Sequence, residues 1–247
     1  MPDDSRSDIE VHRRNFGSLV EQGVYSPDFE HPPVACRFVD TVLTRFSGEF
    51  GTRSKIALLD CGCGSGAWLD FMLSRLSTYR ELEIQGFGFD ITPEMAQAAR
   101  ERLEGMVPPA NIAVGDVLDP ATYRFESGPQ HFDLIFAYDV VQQLPSRDQF
   151  EAFQLMCSRL APGGVLLVFD HDRQSRYGRR MAFRKFVTRY LGVPLVPRYY
   201  CDARYPPLAK FARHLEGDGA FSCEIVVGEE IPKQALVVRR KEATSNG

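Results

Sequence analysis

The sequence predicts an α/β domain: a mostly parallel sheet with helices wound onto both faces. Three observations carry that prediction. Short apolar runs alternate with amphipathic helical segments between residues 56 and 169, the signature of βαβ units. The first three of these runs lead directly into Asp60, Asp90 and Asp116. After the fifth run the alternation stops, and two β-rich runs flanking Pro232 follow, a spacing expected of an antiparallel hairpin at a sheet edge.

Each element has its own signal. Residues 1–30 read as a polar tail followed by a segment with Phe16, Leu19 and Val20 at helical spacing. Residues 31–247 read as the main domain. Pro32-Pro33 opens a helix through Phe46, with Val34, Phe38, Val39, Val42 and Leu43 on one side. Ile56–Asp60 is the first strand, Trp68–Leu76 a helix and Ile84–Phe89 the second strand. Thr92 is placed to N-cap the next helix, with Pro93 at its first position and an end near Leu103. Ile112–Val114 and Phe132–Ala137 are the third and fourth strands. Ser146 followed by Gln149 reads as a capping box for a helix through Leu160. Pro162-Gly163-Gly164 is a turn before the fifth strand, Val165–Phe169. A basic segment of two helices is expected over about residues 171–219, then the hairpin Phe221–Val227 with Ala235–Arg239.

Composition narrows the function. A chain of 247 residues, 44% hydrophobic and with net charge −4, suits one large globular domain and excludes wholesale disorder. No apolar run reaches the ~18 residues of a membrane span, and the polar start MPDDSRSDIEVHRR lacks a secretory h-region. A cytoplasmic location is therefore expected. Six cysteines are scattered, and Cys61-Gly62-Cys63 is not a zinc spacing, so neutral free thiols are expected. The charge is uneven. His171–Arg213 holds eleven Arg or Lys against Asp172 and Asp202, a local +9 on a body of −13. Such asymmetry concerns partners rather than fold.

The chemistry-bearing motif is Leu59-Asp60-Cys61-Gly62-Cys63-Gly64-Ser65-Gly66, between a strand and a helix. Glycines there let the backbone turn sharply and approach a ligand. The spacing is not the G-x-G-x-x-G of dinucleotide enzymes, which disfavours a nicotinamide dehydrogenase, and the Lys-Ser/Thr of a triphosphate cradle is missing. Asp90, ending the second strand, is placed to accept hydrogen bonds from ribose hydroxyls; opposing a helix dipole is its alternative role. Asp116 is placed to reach an adenine amine or to cap a loop. The three acids share the C-terminal ends of consecutive strands, where open parallel sheets bind ligands.

These pieces resemble the class I S-adenosylmethionine-dependent methyltransferases. LLDCGCGSG (58–66), GFD (88–90), GDV (115–117), FDLIFAYDVVQQL (132–144) and LAPGGVLLV (160–168) stand in that family's order and spacing. The resemblance implies a Rossmann-like seven-stranded mostly parallel sheet of order 3-2-1-4-5-7-6. It also implies an N-terminal helical lid holding Phe16 and Tyr25, and a basic helical cap between strands five and six. S-adenosylmethionine is the implied cofactor. Asp60, Gly62, Gly64 and Gly66 would surround its methionine part, Asp90 its ribose, and Ile91, Asp116 and Val117 its adenine. Tyr138 and Asp139 would stand where cofactor and acceptor meet.

In such a reaction the sulfonium is already electrophilic, so the protein positions the nucleophile and excludes water. Many small-molecule members carry His-His or Glu-His after the fourth strand; here Gln142-Gln143 stands instead. Glutamine is neither a base nor a good metal ligand, so no metal is expected. His171, directly after the fifth strand and flanked by Asp170 and Asp172, is the candidate base, with the flanking acids expected to raise its pKa or fix its tautomer. The other histidines, His12, His31, His131 and His214, are read as surface residues. Tyr199 is a second catalytic candidate and Tyr200 a substrate-binding one. Arg176, Arg180 and Arg184 form a helical stripe beside an apolar stripe of Phe183, Phe186, Val187, Tyr190 and Leu191. The stripe is read as binding the acceptor; a solvated face, an anionic membrane surface and a nucleic-acid backbone are its alternatives. The expected function is methyl transfer to N or O of a small acceptor, anionic or lipid-linked. An RNA or protein methyltransferase and a non-catalytic cofactor-binding partner protein are the rivals.

Overall fold

The computed structural model describes residues 30–46, 48, 53–79 and 82–242, excluding the side chains of residues 79, 198 and 199. Phe16 and Tyr25 of the expected lid, and the helix expected around them, lie outside these residues.

Seven strands form one sheet of order β3-β2-β1-β4-β5-β7-β6. The strands are β1 (Lys55–Cys61), β2 (Glu83–Asp90), β3 (Ile112–Val114), β4 (Phe132–Tyr138), β5 (Leu160–Asp170), β6 (Phe221–Val227) and β7 (Gln234–Arg240). β1 to β5 run parallel, while β7 is antiparallel to both β5 and β6. This is the expected topology. The helices are α1 (Pro33–Phe46), α2 (Ala67–Tyr79), α3 (Pro93–Arg102), α4 (Gln149–Ser158), α5 (Arg176–Leu191) and α6 (Leu208–Gly217).

Period-2 alternation sorts the central strands into two layers. Ile56, Leu58, Leu134, Phe136, Leu167 and Phe169 join Val39 of α1, Leu69 of α2 and Ala99 of α3. Their neighbours Leu59, Ile135, Leu166 and Val168 face the other way, with Phe153 of α4 and Phe211 of α6. The strands are therefore buried on both sides, and their runs read as continuously apolar. A third cluster, Met181, Val196, Ala203 and Tyr205, packed by Tyr177 and Cys201, is the core of the basic cap.

Three local expectations fail for identifiable reasons. Thr92 sits at the N-cap of α3 with Pro93 inside, but makes no side-chain cap; its hydroxyl donates to Asp90 Oδ1 instead, at 2.8 Å. The capping box at Ser146 does not form, because α4 begins only at Gln149. The Gln149 side chain is buried and donates to the carbonyls of Val141 (3.1 Å) and Arg204. β5 begins at Leu160, not Val165, because Pro162-Gly163-Gly164 forms an irregularity inside the strand, where its register with β4 shifts. All six cysteines are free thiols, as expected. No helix of the described residues is long and apolar enough to cross a membrane.

Candidate active site

Parallel pairing brings the C-terminal ends of β1, β2 and β4 together, and the glycine loop crosses that edge. Gly62, Gly64 and Gly66 all have positive φ, at 70°, 54° and 81°, a conformation costly for other residues. The Gly62 and Cys63 amides donate to the Phe89 carbonyl at 2.8 and 2.9 Å, fastening the loop to β2. A Cβ on Gly62 would meet Val140 Cγ2 at 2.7 Å, whereas one on Gly64 would meet nothing within 4 Å. Packing therefore demands glycine at 62, while the backbone at 64 borders open space.

Asp60, 2% exposed, lies under this loop, and its Oδ2 has no hydrogen-bond partner. Burial, then the charge of Asp90, pushes its carboxyl well above the usual range. A buried acceptor of this kind is costly unless a donor arrives. Asp90 Oδ2 accepts from the Gly64 amide at 2.9 Å, and its Oδ1 from the Thr92 amide at 2.9 Å. Burial raises the Asp90 pKa against these bonds. Asp116 Oδ1 accepts from the Leu118 amide at 2.9 Å; Val117 is buried and Ile91 half-buried. An orphaned carboxylate oxygen, an open glycine backbone and two further acids on one edge fit an aminoacyl nucleoside.

The ends of β4 and β5 form the second half. Asp139 has φ +60°, alone among described non-glycine residues in being positive. It is held by the ammonium of Lys233, a residue 5% exposed, and by Gln142 Nε2 at 2.7 Å. Lys233 also stands 4.6 Å from the centre of the Tyr138 ring. Asp170, fully buried, accepts from the His171 and Gln142 amides at 2.8 and 3.0 Å, and burial raises its carboxyl well above the usual range. Gln142 Oε1 is buried without a partner.

His171 Nδ1 lies 2.7 Å from the Pro232 carbonyl. A carbonyl only accepts, so Nδ1 carries the hydrogen and Nε2 the lone pair. Burial, then Lys233, lowers the ring's pKa to about 4. The flanking acids thus neither raise the pKa nor fix the tautomer. Asp170 binds the backbone, and Asp172 Oδ1 accepts from the Leu208 amide at the start of α6. The ring packs against Tyr177 and Tyr205 at 4.8 and 4.9 Å. Lys185 Nζ stands 4.0 Å from the Tyr205 centroid and donates to the Ala203 carbonyl at 2.7 Å; burial lowers its pKa to about 8.

The cap residues divide. Tyr177 and Lys185 of α5 face His171, whereas Arg176 and Arg180 are exposed and Arg184 is half-buried. Tyr200 is 41% exposed, in the short 3-10 turn Arg198–Cys201. The Tyr199 side chain lies outside the described residues. The apolar stripe does not pack as one: Val187 is buried, but Phe183, Phe186, Tyr190 and Leu191 are exposed.

Sequence reasoning missed four contributors, Lys233, Lys185, Tyr205 and His31. The first lies in the turn between β6 and β7, and no local pattern marks it. His31, expected at the surface, stacks on Trp68 at 3.8 Å and lies 6.0 Å from Tyr138; burial lowers its pKa to about 4. Its position before Pro32-Pro33 is the available hint, since that break sets the chain's entry over the edge. Among the described residues no cluster of His, Cys, Asp and Glu fits a metal ion.

Comparison with known proteins agrees with this geometry. Residues 58–164 match a family model described as a methyltransferase domain. No curated protein sequence matches the chain. Among solved structures it is similar to magnesium protoporphyrin IX methyltransferase (ChlM) from Synechocystis PCC 6803 with bound SAH. That match has TM-score 0.60 and 15% identity, and covers 96% of this chain and 100% of that one. The plantazolicin methyltransferase BpumL, in complex with a triazolic desmethylPZN analog and SAH, gives TM-score 0.62, 14% identity and coverage of 96% and 98%. The DhpI-SAM-HEP complex gives 0.56, 17%, 95% and 96%. Residues 58–164 thus match a methyltransferase domain, and the chain shares its fold with these solved structures.

Proposed function

We propose that this protein methylates a nitrogen or oxygen of a small anionic or lipid-linked acceptor held against the cluster of His171, Tyr177, Tyr205, Lys185 and Lys233. One observation carries the reading. Two lysines with little exposure flank a neutral histidine at the end of β5, beside Tyr138 and Asp139 at the end of β4. Lys233 is paired with Asp139, whereas Lys185 meets the Ala203 carbonyl and the Tyr205 ring face, and such a desolvated cation favours an anionic ligand. The named acceptors of the similar structures differ from one another, so the fold selects none of them.

When bound, S-adenosylmethionine supplies an electrophilic methyl group on sulfur. Toward it, Asp60 Oδ2 offers the missing partner for an ammonium, and Gly62, Gly64 and Gly66 offer backbone close to the methionine part. Asp90 takes the ribose hydroxyls, with Ile91, Asp116 and Val117 around the adenine. Tyr138 closes the edge under the Trp68–His31 stack, which excludes water. Asp139, held by Lys233 and Gln142, shapes the wall between the two ligands.

His171 Nε2 is the proton acceptor, with its tautomer set by Pro232. At a pKa of about 4 it is a weak base, and Lys233 and Lys185 keep it so. An anion beside those lysines offsets their charge and raises its basicity. Base strength then rises when the acceptor is in place. An amine that binds neutral needs only positioning; a hydroxyl needs the base.

The test uses methyl-labelled S-adenosylmethionine, the purified chain and fractionated cell extract. Label in the lipid or water-soluble small-molecule pool is expected. Label confined to nucleic acid or protein would overturn the acceptor class, and binding without transfer in any extract would overturn catalysis.

A further inference from the structure

Ten large apolar side chains are exposed among the described residues, and seven of them lie between Phe183 and Tyr200. On α5 the three aromatics Phe183 (65% exposed), Phe186 (54%) and Tyr190 (69%) are spaced by three and four residues and share the face turned away from the domain. The rings of Phe186 and Tyr190 pack together at 5.1 Å. Gly178 and Met181 form the buried side, and Val187, four residues after Phe183, is buried at the border of the aromatic face. Arg179 and Arg176 precede Phe183 by four and seven residues, which puts them on the aromatic face. The turn after α5 adds exposed Val193 and Leu195. An ordinary surface helix turns its apolar stripe inward; this one turns its aromatics and arginines outward together.

We propose that this outer face of α5, with Val193 and Leu195, docks into the interface of an anionic phospholipid membrane. The chemistry matches on two counts. Aromatic and aliphatic side chains enter the boundary between headgroups and acyl chains, while arginines on the same face meet lipid phosphates. α5 carries five Arg and one Lys and no acid, so two copies set face to face repel. Nucleic acid leaves Leu191, Val193 and Leu195 without a role, since aliphatic side chains do not stack on bases. The opposite side of α5 carries Tyr177 and Lys185 to His171, so docking would set that cluster about one helix diameter, ~10 Å, from the lipid surface. The proposal goes beyond the acceptor reading, because vesicle binding is measured without turnover.

The test is co-sedimentation of the full chain with vesicles of equimolar phosphatidylcholine and phosphatidylglycerol, against phosphatidylcholine alone. Binding is expected to need the anionic lipid and to fall with added salt. Replacing Phe183, Phe186 and Tyr190 together with serine should weaken it about tenfold or more. The urea midpoint should hold, because all three side chains are exposed. Arg179→Glu should separately reduce the preference for phosphatidylglycerol, and this keeps the test decisive if the triple variant misfolds. Wild-type protein that ignores anionic vesicles overturns the proposal. So does vesicle binding unchanged by the aromatic substitutions, or self-association in ultracentrifugation that disappears with them.

Discussion

Single side chains at this edge are under opposing demands. Lys233 both holds Asp139 at its positive φ and depresses the basicity of His171. Lys233→Met should therefore move the acid limb of the kcat/KM profile upward from near pH 4, while Lys233→Arg leaves it close to wild type; pH–rate profiles decide. Asp90→Ala should cost roughly 1.5–3 kcal/mol of cofactor affinity, read by calorimetric titration, and unchanged affinity would remove Asp90 from the ribose. His31 gives a stability prediction with a definite sign. Its folded pKa of about 4 lies below its ordinary 6.5, so the unfolded chain takes the proton first. The contribution of neutral His31 is complete above about pH 6.5 and drains away as pH falls toward 4. His31→Phe, which keeps the stack on Trp68, should shrink the stability lost between those pH values in urea titrations. The acids at the strand ends were legible in the sequence because a parallel sheet exposes each strand's end to the same crevice. Lys233 and Lys185 were not, because their role comes from tertiary placement: one sits in a hairpin turn, the other on a helix face that period alone assigned only loosely.

At the scale of elements, the cap is fastened by backbone fit and buried polar ties rather than by its arginines. Ser175 caps α5 by accepting from the Gly178 amide at 2.9 Å, and a Cβ on Gly178 would lie 2.1 Å from the Asp172 carbonyl oxygen. Gly178→Ala should thus push α5 off the loop that carries His171. The expected result is faster proteolysis within residues 171–205 with the melting of the sheet little changed. A cap that stays protected would show the contact to be yielding. Gln149, by donating to the Arg204 carbonyl, ties α4 to the segment just before α6. The bonds from Gln149 Nε2 to Val141 and Arg204 turn that side chain toward tertiary partners, so the Ser146–Gln149 signal marked a buried tie and not a local cap. The apolar positions of α5 were visible too, but periodicity reports that a stripe exists, not which way it points.

For the molecule as a whole, two apolar layers of comparable size clamp one sheet, and this much the continuous apolar strands announced in advance. Phe153, fully buried in the α4–α6 layer, should cost about 3–5 kcal/mol when cut to alanine, measured by urea denaturation. The strand order was readable only through the family resemblance, since nothing local in Ala235–Arg239 says that β7 slots between β5 and β6. That insertion has a consequence for how the protein is made. A nascent chain that has emerged only through β6 has no place on the sheet for that strand, because its sole neighbour is still inside the ribosome. Pro232 and Lys233 arrive with the same late turn. Until then His171 has no carbonyl to fix its tautomer, and Asp139 has no ammonium beside it. The amino-terminal half can fold early, with its acids and glycines already in position. The glycine-loop edge is thus assembled before the end of β5 is complete, and that second half waits for β7.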